Sequence, residues 1–257
     1  MIEFQGVAAG YGREDVLHDV TFTVPDGSVT TLVGPNGCGK TTLLRAAAGQ
    51  LPLRSGSILL DGRPLNRYDR KSLARTAAFM PQLRSVPAIT VEALVSHGRF
   101  PYLGFSRRLS AGDREAVRRA MDETGVSAWS GRDLRELSGG ERQRVYIAMA
   151  LAQDTRVIFL DEPTTYLDPG RQFELLELIA SLNQRGKTVV MVLHDLAHAL
   201  RYSSQLLLLE GGRTVLCASP EAMLKSGCLE QVFGIRIHRA GEGYYFPPGA
   251  AERQDHA

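Results

Sequence analysis

The chain has 257 residues, of which 44% are hydrophobic and 23% charged, with a formal net charge of +2. This length and composition suit one sizeable domain whose core needs no disulfide support. The small net charge gives no indication of nucleic-acid binding, which normally requires a concentrated basic face. We find neither a signal-peptide pattern nor an apolar run close to the roughly 20 residues of a membrane-spanning helix. We therefore expect any membrane association to depend on a partner.

Cysteine and histidine spacing gives no sign of a metal centre. The cysteines Cys38, Cys217 and Cys228 are odd in number and lack a CxxC pair. They favour neither a disulfide framework nor a zinc site, and they suit a reducing compartment. His194 and His198 are one helical turn apart, but no cluster of further ligands accompanies them, so we reject a metal site there.

Short strands separated by turns are predicted along the beginning of the chain. They cover residues 2–4, 20–24 and 28–33, and a further strand at 58–60 ends in the turn signal Asp61-Gly62. The strand at 28–33 leads into a glycine-rich segment and then into a helix at 41–48. Strand, glycine loop and helix in this order are the setting that a phosphate-binding loop requires.

Helical patterns follow over about residues 84–153. Val117, Ala120 and Met121 have the spacing of one buried face on a helix at 111–124, and a second helical stripe leads to Gln153. The sequence therefore predicts a helical insert.

Alternating strands and helices return after the insert. The continuous apolar runs 157–160 and 188–193 are typical of buried parallel strands. A helix between them carries Phe173, Leu176 and Ile179 on one predicted side. Residues 206–209 and 214–216 predict a hairpin. After Gly241 the tail is polar and rich in proline and glycine, so we expect it to be loosely ordered.

The glycine-rich segment matches the pattern GxxxxGK[ST]. Its residues are Gly34, Pro35, Asn36, Gly37, Cys38, Gly39, Lys40 and Thr41. Backbone N–H groups in such a loop wrap a phosphate, and glycines permit the necessary curvature. We expect Lys40 to reach the β- and γ-phosphates and Thr41 to hold Mg²⁺. A bare glycine-rich turn is the alternative, but the flanking strand and helix favour the phosphate loop.

Two adjacent carboxylates, Asp161 and Glu162, end the apolar run 157–160. Ligands of parallel α/β sheets gather at the carboxyl ends of the strands. We therefore predict that Asp161 binds Mg²⁺, directly or through water, and that Glu162 polarises the water that attacks the γ-phosphate. In isolation the pair would be interpreted as a solvated acidic turn before Pro163.

The sequence from Leu137 to Gln143, LSGGERQ, resembles the signature LSGGQxQ of ATP-binding-cassette proteins, with Glu141 in the usual glutamine position. Ser138, Gly139 and Gly140 precede a predicted helix, whose N-terminus attracts anions. The resemblance covers roughly residues 1–240. It implies an α/β fold, namely a P-loop NTPase (RecA-like) core with an N-terminal antiparallel β subdomain. An α-helical signature subdomain is inserted at about 84–153, and 241–257 form a C-terminal tail.

The resemblance also assigns roles to residues that the pattern alone leaves open. Tyr11 is similar to the aromatic residue that stacks on adenine, although a plain surface tyrosine remains the alternative. Gln82 resembles the glutamine that joins Mg²⁺ and senses the membrane partner. Asp168 ends a segment, 166–168, that resembles the loop that crosses between subunits. It can equally cap the following helix. His194 resembles the histidine that contacts the γ-phosphate and orients Glu162.

Four sets of site residues result. The expected catalytic residues are Lys40, Glu162 and His194, and the expected Mg²⁺ ligands are Thr41, Gln82 and Asp161. The expected ATP contacts are Tyr11, Gly34, Pro35, Asn36, Gly37, Cys38, Gly39, Lys40, Thr41 and Thr42. We further expect the signature residues of one subunit to contact the ATP bound by the other subunit. These residues are Ser138, Gly139, Gly140 and Glu141.

The architecture of the family implies a homodimer of two ATPase subunits that pack head-to-tail, so that each signature serves the ATP of the other copy. It further implies a multi-span membrane permease, an indirect substrate-binding protein and a peripheral position at the cytoplasmic face of the cell membrane. Nucleic acid is not an expected partner.

Several phrases resemble the importers of ferric siderophores, haem and cobalamin. They include residues 98–102 (GRFPY), 163–168 (PTTYLD), 194–199 (HDLAHA) and 229–234 (LEQVFG). The basic and aromatic stretch 99–108 lies where the family docks a coupling helix of the permease, but it can also be a solvated loop. We favour a ferric siderophore as cargo. A soluble cassette ATPase for cofactor assembly, such as iron–sulfur cluster biogenesis, and an importer or split exporter with another cargo remain the alternatives.

Overall fold

The computed structural model describes residues 1–82, 86–104, 108–241 and 243–247. The strands are β1 (Ile2–Tyr11), β2 (Glu14–Val24), β3 (Val29–Val33), β4 (Ser55–Leu60), β5 (Arg63–Pro64), β6 (Ala77–Met80), β7 (Val157–Leu160), β8 (Thr188–Val192), β9 (Gln205–Glu210), β10 (Arg213–Ala218), β11 (His238–Ala240) and β12 (Gly243–Tyr245). The α-helices are α1 (Lys40–Ala47), α2 (Arg70–Thr76), α3 (Val91–Ser96), α4 (Ala111–Glu123), α5 (Gly139–Ala152), α6 (Pro169–Gln184), α7 (Leu196–Tyr202), α8 (Pro220–Ser226) and α9 (Cys228–Phe233).

Two sheets form the framework. The first is antiparallel, with the strand order β2-β1-β4-β5. The second has the order β10-β9-β3-β8-β7-β6, and all its pairings are parallel except that of β9 with β10. An antiparallel N-terminal sheet beside a largely parallel core is the predicted α/β fold class, which is confirmed.

The central strands are buried on both faces, which explains their continuous apolar sequences. Along β7, Ile158 and Leu160 contribute to one hydrophobic cluster, whereas Val157 and Phe159 contribute to the other. Successive side chains of a strand point to opposite faces, so each strand joins the two clusters. The parallel sheet therefore aligns the carboxyl ends of β3, β6, β7 and β8 along one edge.

Between β6 and β7 the described elements are helices joined by loops, apart from an isolated bridge between Thr90 and Asp133. Within α4, the residues Val117, Ala120 and Met121 are buried as their spacing predicts. Arg99 fixes this region to its neighbours, because its Nε donates to Asp113 Oδ1 at 2.9 Å and its Nη1 donates to the carbonyl of Ala152 at 2.7 Å. The insert boundaries 84–153 stay a prediction. Residues 84, 85 and 105–107, including part of the stretch 99–108, lie outside the described residues.

The buried side of α6 differs from the prediction. Leu175, Leu176, Ile179 and Leu182 form its buried stripe. Phe173, which was predicted on the same side as Leu176 and Ile179, is 44% exposed. Phe173 lies off the stripe that the 3.6-residue helical repeat defines, and its ring meets that of His198 edge-on at 4.9 Å.

The predicted hairpin near residue 210 is present as β9 and β10, which pair antiparallel. The expectation of a loose tail after Gly241 is wrong for residues 243–247. There β12 pairs with β11, and Tyr244 and Phe246 pack against the larger cluster. The remaining tail positions, 242 and 248–257, lie outside the described residues, and the boundary after residue 240 stays a prediction.

Candidate functional site

The glycine loop connects β3 to α1 along the edge where the parallel strands end. Gly34, Gly37 and Gly39 have φ values of 150°, 80° and 101°, which L side chains rarely adopt. A Cβ on Gly34 would also lie 2.1 Å from the carbonyl oxygen of Leu209. Gly39 caps α1 without a side-chain hydrogen bond, so the helix presents its first N–H groups in the way that suits an anion.

Lys40 and Thr41, the first two residues of α1, face inward. Lys40 is buried, and its Nζ donates to the carbonyl oxygens of Gly34 at 2.7 Å and Pro35 at 2.8 Å. Thr41 Oγ1 donates to Asp161 Oδ1 at 2.8 Å. The Lys40 ammonium group thus stabilises the loop through its carbonyl groups, and the Thr41 hydroxyl connects the start of α1 to the end of β7.

Asp161 is fully buried at the end of β7. Burial raises its pKa, the hydrogen bond from Thr41 opposes this, and the neighbouring Glu162 carboxylate adds to the rise. Within the described part of the chain, Asp161 Oδ2 has no hydrogen-bond partner. A buried carboxylate oxygen of this kind, beside a threonine hydroxyl, is the type of oxygen donor that Mg²⁺ prefers, so these residues fit the predicted ion.

The Glu162 carboxylate is contacted by side chains that follow three neighbouring strands. Gln82 follows β6, and its Nε2 donates a hydrogen bond to Glu162 Oε2 at 2.7 Å. His194 follows β8, and its Nε2 lies 2.8 Å from Glu162 Oε1. Thr165 Oγ1 also donates to Oε2, at 3.0 Å. Glu162 has a φ of 53°, a strained value for a non-glycine residue that is often found at functional sites.

A cavity of about 170 Å³ opens beside these groups. Its lining consists of Val16, Asn36, Gly37, Gly39, Lys40, Thr41, Thr42, Glu162 and His194. The structure therefore brings the predicted phosphate loop, general base and histidine around one opening. Sequence reasoning missed Val16 and Thr165, because neither a strand valine nor a threonine after Pro163 carries a distinctive pattern.

Four predicted ATP contacts do not line this cavity. Cys38 is buried, with its Sγ 3.7 Å from Lys40 Nζ. Gly34 and Pro35 instead offer their carbonyl groups to Lys40. Tyr11 is 45% exposed at the end of β1, and its hydroxyl accepts a hydrogen bond from Arg45 at 3.4 Å. Their roles toward ATP stay predictions.

The signature residues begin α5 and form a reciprocal cap. Ser138 Oγ accepts from the N–H of Glu141 at 3.3 Å, and Glu141 Oε2 accepts from the N–H of Ser138 at 2.7 Å. The backbone hydrogen bond from Ser138 is the main reason that the pKa of Glu141 is lowered. These residues are absent from the lining of the cavity at the phosphate loop.

The loop with Asp168 lies beside the signature. A Cβ on Gly140 would contact the side chains of Arg171 and Leu167, and one on Gly139 would lie 3.7 Å from the carbonyl oxygen of Tyr166. Asp168 caps α6, because its Oδ1 accepts from the N–H of Arg171 at 3.1 Å. The capping alternative for Asp168 is thus observed, while its role between subunits stays a prediction.

Comparison with known proteins agrees with this arrangement. The family model described as ABC transporter matches residues 17–165. The chain is 42% identical over 229 residues to the ferric enterobactin transport ATP-binding protein FepC of Escherichia coli, covering 88% of this chain and 84% of that protein. It is 41% identical over 228 residues to the iron(3+)-hydroxamate import ATP-binding protein FhuC of Bacillus subtilis, covering 88% and 85%. The dimeric structure of the bacterial ABC transporter cassette MJ0796 superimposes with a TM-score of 0.75 at 27% identity, covering 86% of this chain and 99% of that one.

The chain belongs to the ABC transporter family, as the coverage of the family model and the identity to these relatives show. Within that family it is an ATP-binding protein and an ATPase. No helix in the described residues is long and apolar enough to cross a membrane.

Proposed function

We propose that this chain hydrolyses MgATP to energise the import of a ferric siderophore through a separate membrane permease. The observation that carries the proposal is the convergence of Gln82, Glu162 and His194 beside the phosphate loop. The cargo rests on relatives named for ferric enterobactin transport and iron(3+)-hydroxamate import.

ATP binding is the first part of the proposed mechanism. The backbone N–H groups of the glycine loop and of the α1 N-terminus would surround the β-phosphate. Lys40 Nζ, which holds two loop carbonyls at 2.7 and 2.8 Å, would turn to the β- and γ-phosphates. Thr41 and Asp161 would hold Mg²⁺, with Gln82 as a further ligand, and the ion would neutralise charge on the phosphate oxygens.

Hydrolysis is the second part. Glu162 accepts a proton from water while the water oxygen bonds to the γ-phosphorus and the bond to the β–γ bridging oxygen breaks. The products are ADP and inorganic phosphate. His194, whose Nε2 lies 2.8 Å from Glu162 Oε1, is placed to orient this carboxylate and to contact the γ-phosphate.

A second copy of the chain completes the proposed site. Ser138, Gly139 and Gly140 would bring the N-terminus of α5 to the ATP of the other copy, with Glu141 keeping the cap formed. The similarity to a dimeric cassette supports this arrangement. ATP would hold the two copies together, and hydrolysis would release them.

The proposed partners beyond the homodimer are a multi-span permease and, indirectly, a substrate-binding protein. The chain would then be peripheral, at the cytoplasmic face of the membrane. Both curated relatives are named as ATP-binding proteins of transport or import, and neither name supports the alternative of a soluble ATPase for cofactor assembly.

Transport by the assembled complex tests the proposed function. The permease that co-purifies with the chain is reconstituted into vesicles with the chain on the side that receives ATP, and ⁵⁵Fe uptake from a ferric hydroxamate and from ferric enterobactin is measured. ATP-dependent uptake of either complex is expected, and the Glu162→Gln variant should abolish it. Uptake of haem or cobalamin alone would contradict the siderophore cargo. Purification without any membrane protein, together with binding to cluster-assembly proteins, would contradict the importer.

A further inference from the structure

Thr165 contacts the predicted general base directly, and it entered the sequence-based prediction only as part of the segment 163–168, without a role of its own. Its Oγ1 donates to Glu162 Oε2 at 3.0 Å, and its backbone N–H donates to the carbonyl oxygen of Glu162 at 3.3 Å. Both bonds close the same short turn, so the hydroxyl is held close to the carboxylate. We propose that Thr165 is a positioning residue for ATP hydrolysis, which fixes Oε2 of Glu162 so that Oε1 faces the reacting groups. This inference rests on the proposed function.

The two oxygens of Glu162 have different surroundings. Oε2 accepts hydrogen bonds from Thr165 and from Gln82, whereas Oε1 meets only His194 among the described side chains. The Glu162 side chain is 14% exposed and that of His194 is 47% exposed. The partner of Oε1, His194, is exposed, whereas Gln82 and Thr165 beside Oε2 are half-buried. Oε1 is therefore the oxygen that we expect to take a proton from water.

Thr165 is suited to this task by its chemistry. A β-branched side chain has few χ1 rotamers, so holding the hydroxyl in place costs little entropy. Hydrogen bonds to a charged acceptor are roughly twice as strong as those between neutral groups. Gln82 is 80 residues away from Glu162 in sequence, whereas Thr165 is 3 residues away and belongs to the same turn. The threonine is the more local of the two supports.

Thr165 also connects Glu162 with the loop that ends at Asp168. Glu162 and Tyr166 both have positive φ values, 53° and 66°, so Thr165 lies in a segment bounded by two strained residues. Tyr166 is 86% exposed, and its carbonyl group lies beside Gly139 of the signature. A displacement of this loop in the dimer would therefore reach the carboxylate through Thr165.

The experiment compares four variants in ATPase assays on the full chain. Thr165→Val keeps the shape and removes the hydroxyl, Thr165→Ala removes it without adding bulk, and Thr165→Ser retains it. Thr76→Val is the matched control, because the Thr76 hydroxyl bonds the carbonyl of Ser72 in α2, away from the site. We expect a roughly tenfold lower kcat for the valine and alanine variants, with KM for ATP changed by less than about twofold. The serine variant should recover at least about half of the wild-type rate.

Two results would overturn the inference. One is a kcat for Thr165→Val and Thr165→Ala within about twofold of wild type, and the other is a serine variant as slow as the valine variant. Thermal unfolding of each variant checks that the chain is folded. Wild-type activity that Glu162→Gln abolishes keeps the proposed function intact whichever result Thr165 gives. A wild-type chain without ATPase activity would refute both.

Discussion

The contacts of Glu162 show how single residues at neighbouring strand ends can act as a group. Gln82, Glu162 and His194 are far apart in sequence, yet they follow the adjacent strands β6, β7 and β8. In a parallel sheet the side chains after successive strands meet at one edge. The group therefore depends on strand order, which no local pattern in the sequence specifies.

His194 provides a test at the residue scale. We expect His194→Ala to lower kcat by about 100-fold, because Glu162 Oε1 loses its partner at 2.8 Å and the γ-phosphate its predicted contact. The measurement is steady-state phosphate release at saturating ATP. His238→Ala, a change at an exposed position in β11, is the matched control and should keep wild-type activity. Equal rates for the two variants would contradict the role of His194.

Part of the site could be predicted from the sequence, and part could not. The phosphate loop and the Asp161-Glu162 pair are short local patterns with fixed spacing, and the structure places both at one cavity edge. The family resemblance was needed to assign roles to four single residues, because a residue without a pattern has many possible roles. These residues are Tyr11, Gln82, Asp168 and His194. Val16 and Thr165 were missed because their contacts depend on the folded turn and the strand arrangement.

At the scale of elements, α5 has a cap that serves both stability and function. Ser138→Ala removes the oxygen that accepts from the N–H of Glu141, so we expect a loss of about 1 kcal/mol in the free energy of unfolding. Ser138→Asp keeps a capping oxygen and should retain most of the stability. Its carboxylate would face the phosphates of the partner's ATP, so its ATPase activity should be lost. Chemical unfolding and phosphate release measure the two effects, and an active aspartate variant would contradict the predicted contact in trans.

The start of α4 gives a pH-dependent prediction. The hydrogen bond from the Ser110 hydroxyl, at 2.6 Å, is the main cause that lowers the pKa of Asp113, and Arg99 contributes further. A carboxylate with a lowered pKa in the folded state stabilises the fold above its unfolded value, here 3.8, and this stability is lost as the pH falls through the folded pKa.

The Asp113→Asn variant measures this contribution. At pH 7 it should lower the free energy of unfolding by about 2 kcal/mol, because the Arg99 guanidinium keeps its buried position without a charged partner. The difference from wild type should shrink as the pH falls below about 4. Urea unfolding at several pH values gives this comparison. A difference that is constant over the whole range would show that ionisation of Asp113 contributes nothing.

The elements differ in how far the sequence predicted them. The apolar runs 157–160 and 188–193 predicted β7 and β8 to within one residue of their observed ends. Phe173 was predicted on one side of α6 with Leu176 and Ile179 because their spacing is helical, but the buried stripe of α6 runs through Leu175 and Leu182 instead. The hairpin of β11 and β12 was missed because its strands have three residues each, too few for a pattern.

At the scale of the whole molecule, the signature residues of one chain do not line the cavity at its own phosphate loop. The signature begins α5 in the helical region, whereas the cavity at the phosphate loop is lined by residues of β2, the loop, α1 and the ends of β7 and β8. The proposed head-to-tail dimer brings each signature to the phosphate loop of the other copy.

ATP-driven dimerisation tests this central claim most directly. The Glu162→Gln variant, which should bind ATP without hydrolysing it, is run with and without MgATP by size-exclusion chromatography with light scattering. The mass of one chain is 28.1 kDa, and we predict that MgATP converts it to twice this value, while ADP or the additional change Lys40→Ala leaves it unconverted. A Glu162→Gln chain that binds ATP and yet stays at the mass of one chain would contradict the account.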